Sequence, residues 1–78
     1  MMLETGRKIR IKKKHKAEEE VVTVIDTFAS RTGRLLYAVD VKGKISYWDK
    51  EIIDHMITHE LWKINVIQIL PDDLFKME

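Results

Sequence analysis

Two histidines, His55 and His59, are four residues apart in a stretch with helical periodicity. Residues at positions i and i+4 share one helical face, so both imidazoles could bind one zinc ion, with Glu51 one turn earlier as a third ligand. A stable zinc site normally needs four ligands and a supporting second shell. The same histidines also fall on a helical face that we expect to be solvated. We therefore predict no metal site, with His55 and His59 as the only candidates for one, and no cofactor.

The common catalytic motifs are missing from the chain. There is no cysteine, no glycine-rich phosphate loop and no serine in a sharp glycine-flanked turn near a histidine. The two serines, Ser30 and Ser46, are predicted to lie in a turn and in a strand. A chain of 78 residues also has little room for a concave pocket with convergent polar groups. The sequence therefore predicts a protein that is not an enzyme and has no catalytic residues.

Basic residues at alternate positions mark the first predicted strand. They point to one side, while Ile9 and Ile11 point to the other, and they are Lys8, Arg10, Lys12 and Lys14. Alternate residues of a strand are roughly 7 Å apart, a spacing compatible with a phosphate backbone. Tyr37 and Trp48 would add stacking surfaces for bases if they face the same side. This pattern predicts a nucleic-acid-binding strand.

The same charges have a second interpretation. Charged side chains on an edge strand protect a sheet from edge-to-edge aggregation, and the acidic run 18–20 is close enough to neutralise them locally. Residues 1–38 carry a net charge of +4 and residues 39–78 a net charge of −3, so the chain as a whole has a net charge of only +1. A dedicated nucleic-acid-binding domain is usually more basic than this. Both interpretations of the basic strand stay open at this point.

Three aromatic residues bracket the predicted helix, namely Tyr47, Trp48 and Trp62. Tryptophan and tyrosine are enriched at protein interfaces because they bury a large area at low entropic cost. Large aromatic residues are also mostly buried in small proteins, in which case the two tryptophans hold the helix against the sheet. The aromatic residues therefore predict either a surface for a protein or peptide partner or a part of the core.

Alternating residues define five strands. The clearest signal is a hairpin within residues 34–48, in which two β-rich runs meet at Lys42 and Gly43. Before it we predict a strand from Arg7, a charged loop over residues 15–20, and a second strand over residues 21–29 with a bulge near Asp26. A last strand over residues 64–70 ends at a proline. The chain forms one domain, in which residues 1–6 and 72–78 are predicted to be peripheral tails.

One amphipathic helix is predicted between the hairpin and the last strand. Asp49 can cap its N-terminus, and the helix should run from Lys50 to about Leu61. Its apolar face is predicted to contain Ile52, Ile53, Met56, Ile57 and Leu61. In the C-terminal tail, Leu74 and Phe75 are predicted to pack back as one helical turn.

The order of elements predicts a small barrel, because closure removes the exposed edges of a short sheet. The chain resembles the SH3-like small barrels, in particular the KOW and Tudor-like group. The residues that carry the resemblance are 6–11, the strand 22–28, and the run 36–47 with its Gly43 turn. Proteins of this kind commonly receive a peptide on aromatic residues near the loops. The chain lacks the glycine that KOW motifs place before the second strand, and its helix is longer than usual. The alternative is an α+β open sheet packed on a helix.

These observations predict a mainly β, non-catalytic binding module. Its first predicted function is binding of a protein or peptide through Tyr47, Trp48 and Trp62. The second is binding of nucleic acid through the basic strand. No segment of the chain has the apolar length or the leader pattern expected for a membrane protein or a secreted protein, so we expect a cytoplasmic location. The small size and the lysine-rich and isoleucine-rich composition suggest a bacterial or phage origin.

Overall fold

The computed structural model describes residues 3–71. Five antiparallel strands and one helix follow each other in chain order: β1 (Arg7–Lys13), β2 (Glu19–Ala29), β3 (Leu35–Val41), β4 (Lys44–Asp49), α1 (Lys50–Thr58) and β5 (Trp62–Ile69). The predicted architecture, mainly β with one short helix before the last strand, is confirmed. The tail that contains Leu74 and Phe75 lies outside the described residues.

The five strands form one sheet in the order β4-β3-β2-β1-β5. Across the described residues, no backbone pairing joins β4 to β5, so the sheet is not closed into the barrel that the sequence predicts. It is nevertheless curled, because α1 contacts both edge strands, and the rings of Trp48 on β4 and Trp62 on β5 are 5.5 Å apart. The fold is therefore an open, curled sheet with a helix beside its two edge strands. This arrangement is nearer to the alternative of an open sheet packed on a helix.

The turn between β3 and β4 has the conformation that its sequence predicts. Lys42 and Gly43 both have positive φ values, 54° and 85°. Two consecutive positive φ values match the type I′ turn, whose twist suits a two-residue hairpin, and glycine adopts this conformation without strain. The side chain of Asp40 accepts a hydrogen bond of 2.8 Å from the backbone N–H of Gly43. This turn therefore fixes the register of β3 against β4.

The sheet has an inner face, which the curl and the helix enclose, and an outer face. Fully buried side chains fill the inner face, and they are Ile9, Ile11, Val22, Val24, Tyr37 and Val39. The predicted bulge is confirmed as a register shift between Val24 and Asp26, which lets the long strand β2 follow the curl. Ile53 and Ile57 of α1 pack against this core. The enclosed apolar face is the main source of stability in a chain without disulfides.

The segment before β1 is packed more closely than the predicted peripheral tail. Leu3 is only 6% exposed and belongs to the core cluster. The backbone N–H of Gly6 donates to the carbonyl oxygen of Val24 at 2.8 Å, and the N–H of Leu70 donates to the carbonyl oxygen of Gly6 at 2.7 Å. These bonds extend the sheet pairing beyond β1, so residues 3–6 belong to the body of the domain.

The helix begins as predicted but ends earlier. The side chain of Asp49 accepts a hydrogen bond of 3.2 Å from the backbone N–H of Ile52, which is a typical N-cap contact. The helix ends at Thr58 rather than near Leu61, because Glu60 has a positive φ of 58°, which ends α-helical geometry. Ile52 was predicted on the apolar face but is 52% exposed. The early end also allows β5 to begin at residue 62, two residues before its predicted start.

Candidate nucleic-acid interface

Strand β1 separates apolar and cationic side chains onto opposite faces of the sheet. Ile9 and Ile11 are at most 1% exposed on the inner face. Because side chains alternate along a strand, Lys8, Arg10 and Lys12 lie on the outer face. Their positions correspond to the predicted basic strand. The alternation that fills the core therefore also places three cations on one surface.

The position of β1 in the sheet tests the interpretation of its charges as edge protection. The edge strands are β4 and β5, whereas β1 pairs with β2 on one side and β5 on the other. A strand that is paired on both sides presents no free edge to protect. The interpretation of these cations as edge protection is therefore wrong for β1.

A fourth cation, Lys63, joins the three on β1. It pairs directly with Lys12 in the register of β1 with β5, so both lysines lie on the outer face. In the same register, Asn65 is opposite Arg10 and Gln68 is opposite Lys8. We call the four basic residues, Lys8, Arg10, Lys12 and Lys63, the cationic row. Sequence reasoning missed Lys63 because its place depends on a pairing between strands about 50 residues apart.

The carboxylates that form ion pairs bind cations outside the cationic row. Four ion pairs occur between residues 3 and 71, and none includes a member of the row: Arg7–Glu4, Lys13–Glu20, Arg34–Asp49 and Lys50–Asp54. The ammonium group of Lys12 donates to the backbone carbonyl of Lys16, and Glu19, its neighbour on β2, makes no ion pair with it. The row therefore presents positive charge to the solvent.

Lys14 does not continue the row. It follows the last residue of β1, and its backbone N–H donates to the carbonyl oxygen of Leu61 at 2.8 Å. This bond brings the end of β1 beside the turn that follows α1. A cleft of about 380 Å³ opens there. We call it the lysine cleft; it is lined by Lys12, Lys13, Lys14, His59, Glu60 and Lys63.

The aromatic residues predicted to stack beside the basic strand do not lie on its face. Tyr37 is fully buried in the core, and Trp48 is half-buried and packs against that core. The predicted stacking partners are therefore wrong. The aromatic residues on the outer face are Tyr47 on β4 and Phe28 on β2, whose ring centroids are 5.8 Å apart with the rings nearly perpendicular. Three strand spacings, or about 14 Å, separate β4 from β1, so one nucleotide cannot contact both.

The three predicted protein-binding aromatic residues are divided between the two faces. Tyr47 lies on the outer face and is 62% exposed. Trp48 and Trp62 pack edge to face on the other side, and the ammonium group of Lys13 is 4.8 Å from the centre of the Trp62 ring. These two tryptophans draw the edge strands together beside the helix. A single surface formed by all three aromatic residues does not exist in this fold.

A polar network anchors the helix to the core. The hydroxyl group of Tyr37 donates to a carboxylate oxygen of Asp54 at 2.5 Å and accepts a hydrogen bond from the backbone N–H of Leu3 at 3.3 Å. Lys50 donates to the other carboxylate oxygen of Asp54 at 2.5 Å. Burial, with help from the bond to Asp54, raises the pKa of Tyr37 well above its ordinary value. The hydroxyl group thus keeps the proton that holds α1 in place.

A second ion pair lies at the start of the helix, away from the row. The guanidinium of Arg34 binds the carboxylate of Asp49, which is also the helix cap. The hydrogen bond from Arg34 lowers the pKa of Asp49, and the same bond raises the pKa of Arg34. Because this pair joins the β2–β3 turn to the helix N-terminus, its role is structural.

The two histidines with metal-like spacing do lie together. The ring centroids of His55 and His59 are 4.1 Å apart. From residue 3 to residue 71, no group of three or more His, Cys, Asp or Glu side chains is arranged to hold a metal ion, so Glu51 does not complete a site with them.

Comparison with known proteins returns no relative. No protein-family model matches the chain, and neither a curated protein nor a solved structure is significantly similar to it. The relationship to SH3-like barrels therefore stays a prediction. No helix among the described residues has the length and apolar character needed to cross a membrane.

Proposed function

We propose that this protein is a non-catalytic binding module that binds nucleic acid through the cationic row. The observation that carries the proposal is the placement of Lys8, Arg10, Lys12 and Lys63 on one face of two paired strands without an ion pair among the described residues. Cations in such an array bind phosphates and release the counterions that surround a nucleic acid. The proposal concerns the backbone, because the row offers no stacking side chain that would read bases.

The polar surroundings of the row agree with this function. Three register neighbours of its members, Thr23, Asn65 and Gln68, have neutral groups that bond phosphate or sugar oxygens. The β2 neighbours of Arg10 and Lys12 are Val21 and Glu19. Glu19 on β2, opposite Lys12, and Asp40 on β3, opposite Thr23, limit the contact area to β1 and β5. With only four cations, we expect weak binding that is not specific for sequence, with a Kd of about 10–100 μM.

The test is the salt dependence of binding, measured by fluorescence anisotropy with a labelled oligothymidylate of about 12 nucleotides. For single strands, the slope of log K against log salt is about −0.7 per phosphate contacted, so four contacts predict a slope near −3. The double substitution Lys8→Glu and Arg10→Glu should weaken binding more than about tenfold and reduce the slope by one to two units.

A matched control variant tests whether binding depends on the cationic row or only on the net charge of the protein. Arg31→Glu with Lys44→Glu also reverses one arginine and one lysine, and both residues are exposed and outside the row. This control should retain nearly all binding. Equal losses in the two double variants would contradict the proposal, because diffuse charge would then explain the affinity. Equally effective displacement by a polyglutamate peptide would identify an acidic protein segment as the ligand and would also contradict it.

A protein partner is the second candidate function, and one observation favours it. Ile45 and Tyr47 are adjacent outward-facing residues of β4 that are 50% and 62% exposed, and Tyr47 contacts Phe28. Exposed neighbouring apolar groups of this kind mark interaction sites in small proteins. Of the three aromatic residues predicted to bind a protein partner, only Tyr47 belongs to this patch. Trp48 and Trp62 are better explained by the core contacts described above.

The two candidates respond differently to substitution. Replacing Ile45 and Tyr47 by threonine preserves β propensity but removes the apolar patch. A protein captured from a cell lysate, purified and shown to bind the wild-type chain should lose affinity with this variant and keep it with Lys8→Glu and Arg10→Glu. If the partner instead keeps its affinity for the Ile45 and Tyr47 variant and loses it with Lys8→Glu and Arg10→Glu, the patch is not the binding site of that partner.

A further inference from the structure

The lysine cleft lies at one end of the cationic row and shares Lys12 and Lys63 with it. Along β1 the row runs over the outer face of a curled sheet, whereas at this end the surface becomes concave. At the other end of β1, Arg7 is paired with Glu4 at 3.1 Å. A strand of nucleic acid that follows the row therefore meets the lysine cleft at the Lys12 end of β1.

The lysine cleft has more positive than negative charges, because four lysines and one glutamate line it. Lys12 and Lys63 are direct cross-strand neighbours, and like charges in this position repel each other. Lys13 is paired with Glu20 at 3.0 Å, which leaves Lys12, Lys14 and Lys63 without an ion pair among residues 3–71. Glu60 is the one acidic residue that lines the cleft. An anion bound in the cleft beside Lys12, Lys14 and Lys63 would offset the repulsion between Lys12 and Lys63.

We propose that the lysine cleft binds the terminal phosphate of a nucleic-acid strand whose backbone lies along the cationic row, a proposal that rests on the function proposed above. A terminal phosphate monoester has up to two negative charges near neutral pH, whereas each internal diester has one. A volume of about 380 Å³ is also in the range of sites that take small ligands, so a terminal nucleotide can enter. The module would thus distinguish phosphorylated ends from hydroxyl ends.

The test compares three oligothymidylates of equal length, which have a 5′-phosphate, a 3′-phosphate or no terminal phosphate. The wild-type chain should bind one phosphorylated form about tenfold more tightly than the unphosphorylated form, because the terminal phosphate adds charged acceptor oxygens that the lysines of the cleft can bond. The end that gives the gain defines the direction of the strand along β1. Competition anisotropy at low salt measures all three affinities with one labelled reference.

Two variants separate this inference from the proposed function. Lys14→Gln with Lys63→Gln should abolish the preference for a phosphorylated end and weaken binding of the unphosphorylated strand only about threefold, as expected for one lost phosphate contact. Lys8→Glu with Arg10→Glu should weaken all three oligonucleotides and retain the preference.

Three outcomes would overturn the cleft assignment while leaving the function of the row intact. The wild-type chain could bind all three strands equally well, or the preference could survive in the variant with Lys14→Gln and Lys63→Gln. Equal gains from a 5′-phosphate and a 3′-phosphate would show an effect of added charge and not a positioned phosphate. Failure of the wild-type chain to bind any of the strands would instead contradict the proposed function itself.

Discussion

The inner and outer faces of the sheet are built from alternate residues of the same strands, yet they differ in almost every physical property. On β1, Ile9 and Ile11 are buried, while Lys8 and Arg10 face outward without an ion pair among the described residues. The inner face holds its polar groups in satisfied bonds, and no buried side-chain polar atom among the described residues lacks a partner. The difference indicates that the inner face determines folding, whereas the proposed binding function involves the outer face.

The largest expected effect comes from removing a buried side chain. Ile11→Ala should lower the free energy of unfolding by about 2–5 kcal/mol, because Ile11 is fully buried and its loss leaves a cavity. In a domain this small, such a loss leaves little stability. Ile45→Ala is the matched change on the outer face and should cost less than about 1 kcal/mol. Urea denaturation of both variants checks the difference, and equal losses would remove the distinction between the faces.

A smaller effect is expected from deleting single hydroxyl groups. Tyr37→Phe removes the acceptor of the Leu3 N–H and the donor to Asp54, which should cost about 1–2 kcal/mol. Tyr47→Phe is the control, since the exposed hydroxyl group of Tyr47 has no hydrogen-bond partner among residues 3–71, and its effect should be near zero. Thermal denaturation measures both. A stable Tyr37→Phe variant would show that the network does not hold the helix.

The turn that joins β3 to β4 fixes the register of these two strands. A change in that register would affect both faces of the sheet. Gly43 has a φ of 85°, and a Cβ there would meet no neighbour, so the effect of Gly43→Ala is due to backbone strain alone. We expect a loss of about 1 kcal/mol in the free energy of unfolding, measured by urea denaturation. An increase in stability would exclude the type I′ geometry.

The smallest expected effect is a pH dependence from the ion pair at the start of the helix. Because the pKa of Asp49 is lowered in the folded state, its charge stabilises the fold above its ordinary value of 3.8 and ceases to do so as the pH falls through the lowered value. Asn is an equally good N-cap, so Asp49→Asn isolates the charge. The urea midpoints of wild type and variant should differ near neutral pH and converge in acid. A constant difference would exclude the charge as its cause.

The sequence predicted the local features of this fold well. The alternation of Ile9 and Ile11 with basic residues, the Gly43 turn, the bulge near Asp26 and the Asp49 cap are all present. Each depends on residues close together in the chain, where backbone preferences and side-chain spacing act directly.

Features that depend on distant pairings could not be predicted in the same way. The interior position of β1 and the place of Lys63 opposite Lys12 follow from the pairing of β1 with β5. The separation of Tyr47 from Trp48 is predictable from alternation, but which of them faces inward depends on the curl of the whole sheet. Both candidate surfaces therefore needed the tertiary structure before they could be assigned.

The most direct test of the central claim is an NMR titration of the wild-type chain with an unphosphorylated oligothymidylate. We expect the side-chain N–H signals of Arg10, Asn65 and Gln68 to shift, because they lie on the outer face of β1 and β5. The methyl signals of Ile9 and Val24 on the inner face should not shift. Shifts centred on Tyr47 and Ile45, or no shifts at low salt, would contradict the assignment of the cationic row as the binding surface.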